Sequence, residues 1–283
     1  MIIYVINLII KFIKNNNMEK LFDNFEYIND FQSFENKVHL LKKGTSLYIW
    51  KTISSSLSFD KELIILEYIK WTNIWPEIID YCRETNSLLM SYVEWKNFLV
   101  NNTKDSECLW KQIRTFHNIM LDLPIKDVFI NDEENYKLED CLTDIKNEIS
   151  SPTVLNEEDL LICSKAIDYL IKNKNTSYKW NIIHWDIKPE NIVWNKFIDF
   201  EKMKYDSHLV DLSRASIRIL WNREDYEKSM LDSYWIKNIQ EELNILKIEE
   251  ALHSISYYIY KWYLNWYPYK NISLKTIVNL LNY

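Results

Sequence analysis

Glycine is almost missing from this chain. Gly44 is the only one in 283 residues, against about 7% in average usage, so a site that needs glycine's backbone freedom elsewhere must be built from another residue. A basic excess is missing as well. With 41 acidic against 34 basic residues and a formal net charge of −7, the chain lacks the electrostatic footprint of a nucleic-acid binder, and Lys42-Lys43 reads as a solvated turn. The four cysteines, Cys82, Cys108, Cys141 and Cys163, form no CxxC pair and have no histidine at metal-ligand spacing. Neither a zinc site nor a disulfide framework is expected, and reduced thiols fit a cytoplasmic protein. No apolar run is long enough to span a bilayer, which takes about 18 to 20 residues. The N-terminal run MIIYVINLIIKFIKNNN, residues 1–17, is shorter, contains Lys11 and Lys14, and has no small-residue cleavage site. It can be read as a membrane-surface helix, as a first helix packed on the domain, or as an upstream extension; the polar start at Met18 favours the last two.

What is present is core material, 47% hydrophobic residues, enough for one large domain or two lobes. Short alternating runs at 22–27, 36–41 and 47–50, parted by turn residues, predict a three-stranded antiparallel meander. Asp60 is the expected N-cap of a helix through Leu63, Leu66 and Ile69. Ser87-Leu88-Leu89-Met90-Ser91-Tyr92-Val93 predicts a strand running into a connector. From about residue 97, Trp110, Ile113, Phe116, His117 and Met120 recur at helical spacing and stop near Leu123-Pro124. The acidic, weakly patterned stretch 127–158 is expected to be a lid or a mobile connection, Leu160 to Ile171 an amphipathic helix, and 222–283 helical and aromatic.

One stretch interrupts apolar runs with chemistry: Ile182-Ile183-His184-Trp185-Asp186-Ile187-Lys188-Pro189-Glu190-Asn191-Ile192-Val193-Trp194. Apolar flanks fix such a loop on a rigid base. HWDIKPEN resembles the catalytic loop of the protein-kinase-like superfamily, HRDLKPEN in eukaryotic protein kinases and HGDxxxxN in aminoglycoside phosphotransferases and choline kinases. The order of other features extends the resemblance from about residue 20 onward. Lys51 closes the strand LYIWK, Glu62 follows on the first helix, and Ser91-Tyr92-Val93 falls where an interlobe hinge would. His208-Leu209-Val210-Asp211-Leu212-Ser213 takes the place of the second metal motif, DFG or IDxx.

The resemblance implies a two-lobed α+β fold, with a small antiparallel β N-lobe over 18–90, a hinge at 91–95 and a larger helical C-lobe over 96–283. It implies ATP or GTP and Mg2+ as cofactors. Lys51 would hold the α and β phosphates with Glu62 pairing it, although Glu67 shares that helix. Ser33, in a glycine-free phosphate loop at 28–33, and Ser91 and Val93 at the hinge would complete the nucleotide contacts. Asn191 and Asp211 would bind the metal, since an amide oxygen and a carboxylate suit a hard cation. Asp186 would act as base or positioning group for the attacking hydroxyl, with Lys188 beside the γ-phosphate. His184 is expected to anchor the loop.

Only 72 residues follow Asp211, with no Ala-Pro-Glu motif, so a small-molecule hydroxyl acceptor is favoured over a protein. Phe116-His117 resembles the helix end of aminoglycoside and choline kinases. The acidic stretch and Trp221, Glu224, Asp225, Tyr226, Asp232 and Trp235 would suit a cationic, amine-bearing acceptor. Tyr258, Trp262 and Tyr269 read as helix packing before they read as a cation box. Two alternatives stand: a protein serine/threonine kinase, suggested by Lys188-Pro189-Glu190, and a catalytically silent binding module, suggested by the glycine-free loop. Oligomeric state is left open.

Overall fold

The structure is a computed structural model that describes residues 24–31, 36–72, 76–94, 98–124, 127–130, 138–150, 154–173, 180–193, 196–234, 239–261 and 267–281. The chain divides into two compact units, one of Met1–Phe59 with Pro76–Tyr92, the other of Asp60–Trp75 with Val93–Tyr283, each as far as it is described.

The first unit is built on five antiparallel strands: β1 (Glu26–Phe31), β2 (Lys37–Lys43), β3 (Ser46–Thr52), β4 (Ile78–Cys82) and β5 (Ser87–Ser91), in the order β1-β2-β3-β5-β4. Period-two alternation splits β3 between the faces of the sheet. Trp50 pairs with Leu89 of β5, and the two join Leu41 in a small core. Lys51, next along the strand, faces the other way, opposite Val38 and Leu88, and is buried. The meander expected over the first three strands is present, with β1 ending four residues later than its apolar run and β2 and β3 two residues later. The strand β4 was not expected. Its residues Ile79, Asp80 and Tyr81 are exposed, and a solvent-facing edge strand gives no clean alternation. Ile28 to Phe31, expected in the phosphate loop, instead continue β1, and Ser33 lies outside the described residues.

Helix α1 (Ser56–Ile69) begins four residues before its expected cap. Ser55 supplies the capping oxygen, accepting from the Ser58 N–H at 3.3 Å, and Asp60 is interior.

In the second unit, α2 (Thr103–Leu121) is capped by Asn102, whose side chain accepts from the Asp105 N–H at 3.0 Å. Its buried stripe of Leu109, Trp110, Ile113, Phe116, His117 and Met120 contains the five residues expected from spacing. The acidic region is not a simple lid. It contains α3 (Asp127–Ile130) and α4 (Leu138–Ser150), whose Cys141 and Ile145 enter the main core with Leu160, Cys163 and Ile167 of α5 (Glu157–Asn173). Four short strands follow: β6 (Trp180–Ile183), β7 (Ile192–Val193), β8 (Lys196–Phe197) and β9 (Lys204–Ser207), with β6 pairing β9 and β7 pairing β8. Among the described residues that follow are four helices: α6 (His208–Arg218), α7 (Glu224–Tyr234), α8 (Gln240–Lys261) and α9 (Tyr267–Leu280). Tyr258 packs against the core formed by α4, α5, α8 and α9, as its packing reading required; the side chains of Trp262 and Tyr269 lie outside the described residues. Among the described residues, no helix is long and apolar enough to cross a membrane.

With one glycine available, left-handed backbone positions fall to Asn24, Asn86, Asn222 and Asp199, and also to Trp185 and Trp221. Asn and Asp tolerate that region through local hydrogen bonding; a bulky residue there carries strain. Gly44 occupies the β2–β3 turn at φ +60, and nothing lies within 4 Å of the point a Cβ would occupy. Gly44→Ala is therefore expected to cost about 1 kcal/mol through backbone strain alone, and Gly44→Asn less. Urea denaturation of the two variants checks this order.

Candidate active site

The loop of residues 184–191 is held from behind. Asp211, in the first turn of α6, turns its carboxylate into this loop: Oδ2 accepts the His184 N–H at 2.8 Å, and Oδ1 accepts the Trp185 N–H at 2.8 Å. His117 Nε2 on α2 meets Oδ2 at 2.9 Å. Asp211 is wholly buried. Burial alone would raise its pKa; the hydrogen bond and charge of His117, followed by His184, outweigh that and hold it below the ordinary aspartate value. A carboxylate filled by three N–H donors and shut from solvent presents no oxygen to a metal, so the metal role expected of Asp211 does not fit.

His184 anchors the same loop from the other side. Its Nε2–H donates to the Ile198 carbonyl at 3.0 Å, and its ring lies among Phe116, Phe197 and Phe200. Nδ1 is buried and unpaired among the described residues. That agrees with a ring held neutral, because burial lowers its pKa. Trp185 has φ +63, a conformation worth about 1–2 kcal/mol of strain in an ordinary residue. Its indole is buried, with the Arg214 guanidinium 4.0 Å and the Lys204 ammonium 4.8 Å from its ring centroid. The side chain thus supplies packing and cation–π contact where a smaller residue would supply only backbone freedom.

Asp186 sits at the tip. Its Oδ2 accepts Lys188 Nζ at 2.6 Å and Asn191 Nδ2 at 2.9 Å, and its Oδ1 accepts Arg218 Nη1 at 3.2 Å. Burial would raise its pKa, but Lys188 and Arg218, with Arg214 farther off, hold it far below the usual carboxylate range. Asn191 also donates to the Asp186 carbonyl at 2.9 Å. Both amide hydrogens thus face Asp186, leaving Oδ1 as the atom Asn191 can offer a metal.

The β7–β8 hairpin then returns the chain. Ile192 pairs with Phe197, and Ile198 N–H donates to the Asn191 carbonyl at 3.0 Å, so Asp199 emerges across from Asn191. It does so at φ +68, ψ +65 and opens a turn of 3-10 helix, Phe200–Lys202. Glu62, Asp199 and Glu201 bring carboxylate oxygens within 4.8 Å of one another. This all-oxygen donor set is chemically suited to magnesium. Glu62 and Asp199 therefore lie together in the second unit, whereas Lys51 belongs to the first. Ser91 is occupied at the end of β5, accepting from the Glu77 N–H at 2.8 Å, and Val93 is the first residue of the second unit after Tyr92.

Sequence reasoning missed Asp199 and Glu201, although Ile198-Asp199 carries the IDxx wording itself; the similar Val210-Asp211 masked it. It also missed Arg214, Arg218 and Glu250, whose only signal is the four-residue spacing of two arginines on α6. Glu250 of α8 binds both: Arg214 Nη2 at 3.0 Å, and Arg218 Nε and Nη2 at 2.7 Å each. The expected acceptor residues fare differently. Glu224, Asp225 and Asp232 are exposed on α7, with Asp225 paired to Arg223. Trp221 is exposed, Tyr226 is buried with its carbonyl accepting from Ser106, and Trp235 lies outside the described residues.

A five-stranded antiparallel sheet followed by a helical remainder carrying this loop is the two-lobed protein-kinase-like fold. Solved structures bear this out: choline kinase LicA from Streptococcus pneumoniae, at 15% identity and TM-score 0.65 over 97% of this chain and 99% of that one, and a choline/ethanolamine kinase family protein from Mesorhizobium loti, at 12% and 0.66 over 91% and 88%. A GDP complex of an aminoglycoside 2'-phosphotransferase IIIa mutant aligns at 11% and 0.67 over 94% and 97%. No protein-family model matches the chain, and no curated protein does.

Two outcomes are expected. Asp211→Asn removes the charge and turns an NH2 toward a buried donor, so it should destabilise the fold by about 2–4 kcal/mol, measurable by chemical denaturation. Acidification should act through the buried histidines first. His184 is held below 6.5, and His253 is lowered to about 3, chiefly by burial. Below pH 6.5 the unfolded chain therefore takes up protons that the folded chain does not. Stability falls by about 1.4 kcal/mol per pH unit for each such histidine, while the depressed Asp211 and Glu250 add their loss only as pH falls below about 4.5. Thermal melts from pH 7.5 to 5 should show a falling Tm, flatter in His253→Gln.

Proposed function

We propose that the protein transfers the γ-phosphate of ATP to a hydroxyl of a small molecule. The observation that carries this reading is the carboxylate group of Glu62, Asp199 and Glu201, whose oxygens lie within 4.8 Å of one another, on a chain that the β7–β8 pairing returns next to the Asn191 backbone. The solved neighbours include complexes of LicA with AMP and of aminoglycoside phosphotransferase APH(4)-Ia with AMP-PNP and hygromycin B, which supports a nucleotide and a small acceptor here. Residues 200–210, between Asp199 and Asp211, form one 3-10 turn, β9 and the start of α6. They contain no extended activation segment of the kind a protein acceptor would need.

In this reading Asn191 and Asp199 hold magnesium, with Glu201 and Glu62 beside them, in place of the Asn191 and Asp211 pairing read from sequence. The ion, when bound, neutralises the polyphosphate charge. Lys51 contacts the α and β phosphates, and Lys188 meets the transferring group. Asp186 orients the acceptor hydroxyl. As its oxygen forms a bond to Pγ, the bond from Pγ to the bridging oxygen breaks, the nucleoside diphosphate leaves, and the hydroxyl proton passes to the Asp186 carboxylate. Because Lys188 and Arg218 make that carboxylate a weak base, proton transfer comes late and Asp186 acts mainly by positioning.

Calorimetry with ATP or GTP and Mg2+, followed by a nucleotide-consumption screen over alcohols, tests the assignment. Asp186→Asn should lower transfer by about 10²–10⁴-fold and leave nucleotide affinity nearly unchanged, whereas Asp199→Ala should weaken the magnesium-dependent part of binding. Absence of nucleotide binding by the unaltered protein would overturn the reading.

A further inference from the structure

The carboxylate of Asp186 accepts from three donors, and its two oxygens share them unevenly. Oδ2 takes both Lys188 Nζ at 2.6 Å and the Asn191 amide at 2.9 Å, whereas Oδ1 takes Arg218 Nη1 alone, at 3.2 Å. An ionised carboxylate has about four acceptor sites, two on each oxygen, so the site still open among the described residues is on Oδ1. The side chain is 15% exposed, which gives a hydroxyl access to it.

Arg218 decides how that oxygen is turned. Its guanidinium does not swing freely: Nε and Nη2 both meet Glu250 Oε1 at 2.7 Å, and Nη1 is turned to Asp186. Glu250 is fixed in turn. Arg214 Nη2 holds its Oε2 at 3.0 Å, and Ser254 Oγ donates to its Oε1 at 3.3 Å. The Arg214 guanidinium lies 4.0 Å from the ring centroid of Trp185, the residue before Asp186. The contacts therefore close on themselves, from Asp186 through Arg218, Glu250 and Arg214 to Trp185 and back along the chain. Each cation has a carboxylate to answer it besides Asp186, with Asp199 acting on Lys188, Glu250 on Arg218, and Asp211 and Glu250 on Arg214. What Arg218 supplies is direction rather than an excess of positive field. A guanidinium released from Glu250 would be able to bring two nitrogens to Asp186, in the fork geometry that carboxylates favour, and Oδ1 would lose its open site.

We propose that Arg218, held by Glu250, is a positioning residue for phosphotransfer: it aims the open site on Asp186 Oδ1 at the acceptor hydroxyl, and Glu250 keeps the guanidinium from closing that site. This rests on the phosphotransferase reading above. The transfer is the one already described, with the hydroxyl proton passing to Oδ1.

The test follows ATP turnover by the full chain with Mg2+, with choline, ethanolamine, glucose and glycerol as acceptors and water as the acceptor when none is added. AMP-PNP binding is measured in parallel, and kcat is counted per AMP-PNP-binding molecule. Loss of aim slows the chemical step and leaves ground-state binding in place. On the acceptor that the unaltered protein uses best, Arg218→Gln should lower kcat by about tenfold or more, with acceptor KM and AMP-PNP affinity changed by less than about threefold. Arg218→Lys should recover part of the loss, because an ammonium can still donate once to Oδ1. Glu250→Gln should lower kcat as well, and adding Arg218→Gln to it should cost nothing further or restore turnover, since the harm done by a released guanidinium needs the guanidinium. Glu250→Gln also leaves the buried Arg214 without its partner, so if that variant does not fold, the two Arg218 variants decide the matter. Unchanged kcat in Arg218→Gln would overturn the inference, as would a loss confined to acceptor KM or to AMP-PNP affinity; both leave the phosphotransferase reading intact. AMP-PNP binding by the unaltered protein with no turnover on any of these acceptors, water included, would overturn it too. Absence of nucleotide binding would overturn both.

Discussion

The carboxylate of Asp211 is the constraint on which the site depends. The loop after β6 turns at Trp185 through a left-handed conformation and carries Asp186 at its tip, and that turn points the His184 and Trp185 amides inward, away from water. Two buried amides without acceptors would cost about 1–3 kcal/mol each. One buried carboxylate answers both, and His117 supplies a third donor that helps keep it ionised. The strain at Trp185 is thereby held by bonds to a helix rather than by glycine, which this chain does not have there.

From that brace the rest of the chemistry follows by position. Asn191 gives its amide hydrogens to Asp186, and the hairpin after it returns the chain to the Asn191 backbone just before Asp199. Lys188 and Arg218 keep Asp186 charged at the cost of its basicity, which suits a reaction governed by alignment and charge neutralisation more than by proton abstraction. Arg218 in turn is held by Glu250 on a different helix. Removing Glu250 would strand two guanidinium groups, one of them fully buried, a mechanism that ordinarily costs several kcal/mol.

Much of the fold was legible in local pattern. The α2 stripe and the three-strand meander could be read because each has one buried face and hence one period. Edge strand β4, exposed at its three central residues, and α4, interrupted by acidic residues yet buried at Cys141 and Ile145, gave mixed periods and were lost. In the site, Asp186 and Asn191 lie in one continuous motif. Asp211 was expected to bind the metal, a role the proposed site gives to Asp199, because Val-Asp-Leu and Ile-Asp-Phe look alike in sequence. Only the direction of the His184 and Trp185 amides separates a brace from a ligand. Arg218 and Glu250 are far apart in the chain and meet only when α6 packs on α8, so no local pattern could have paired them.

The exchange of roles between Asp211 and Asp199 is the center of the account, and manganese binding reads it directly. Electron paramagnetic resonance of Mn2+ titrated into AMP-PNP-loaded protein, at a temperature where every variant is folded, should show Asp199→Ala and Asn191→Ala each weakening metal affinity by about tenfold or more. Asp211→Asn should stay close to the unaltered protein. Unchanged affinity in Asp199→Ala together with loss in Asp211→Asn would contradict it.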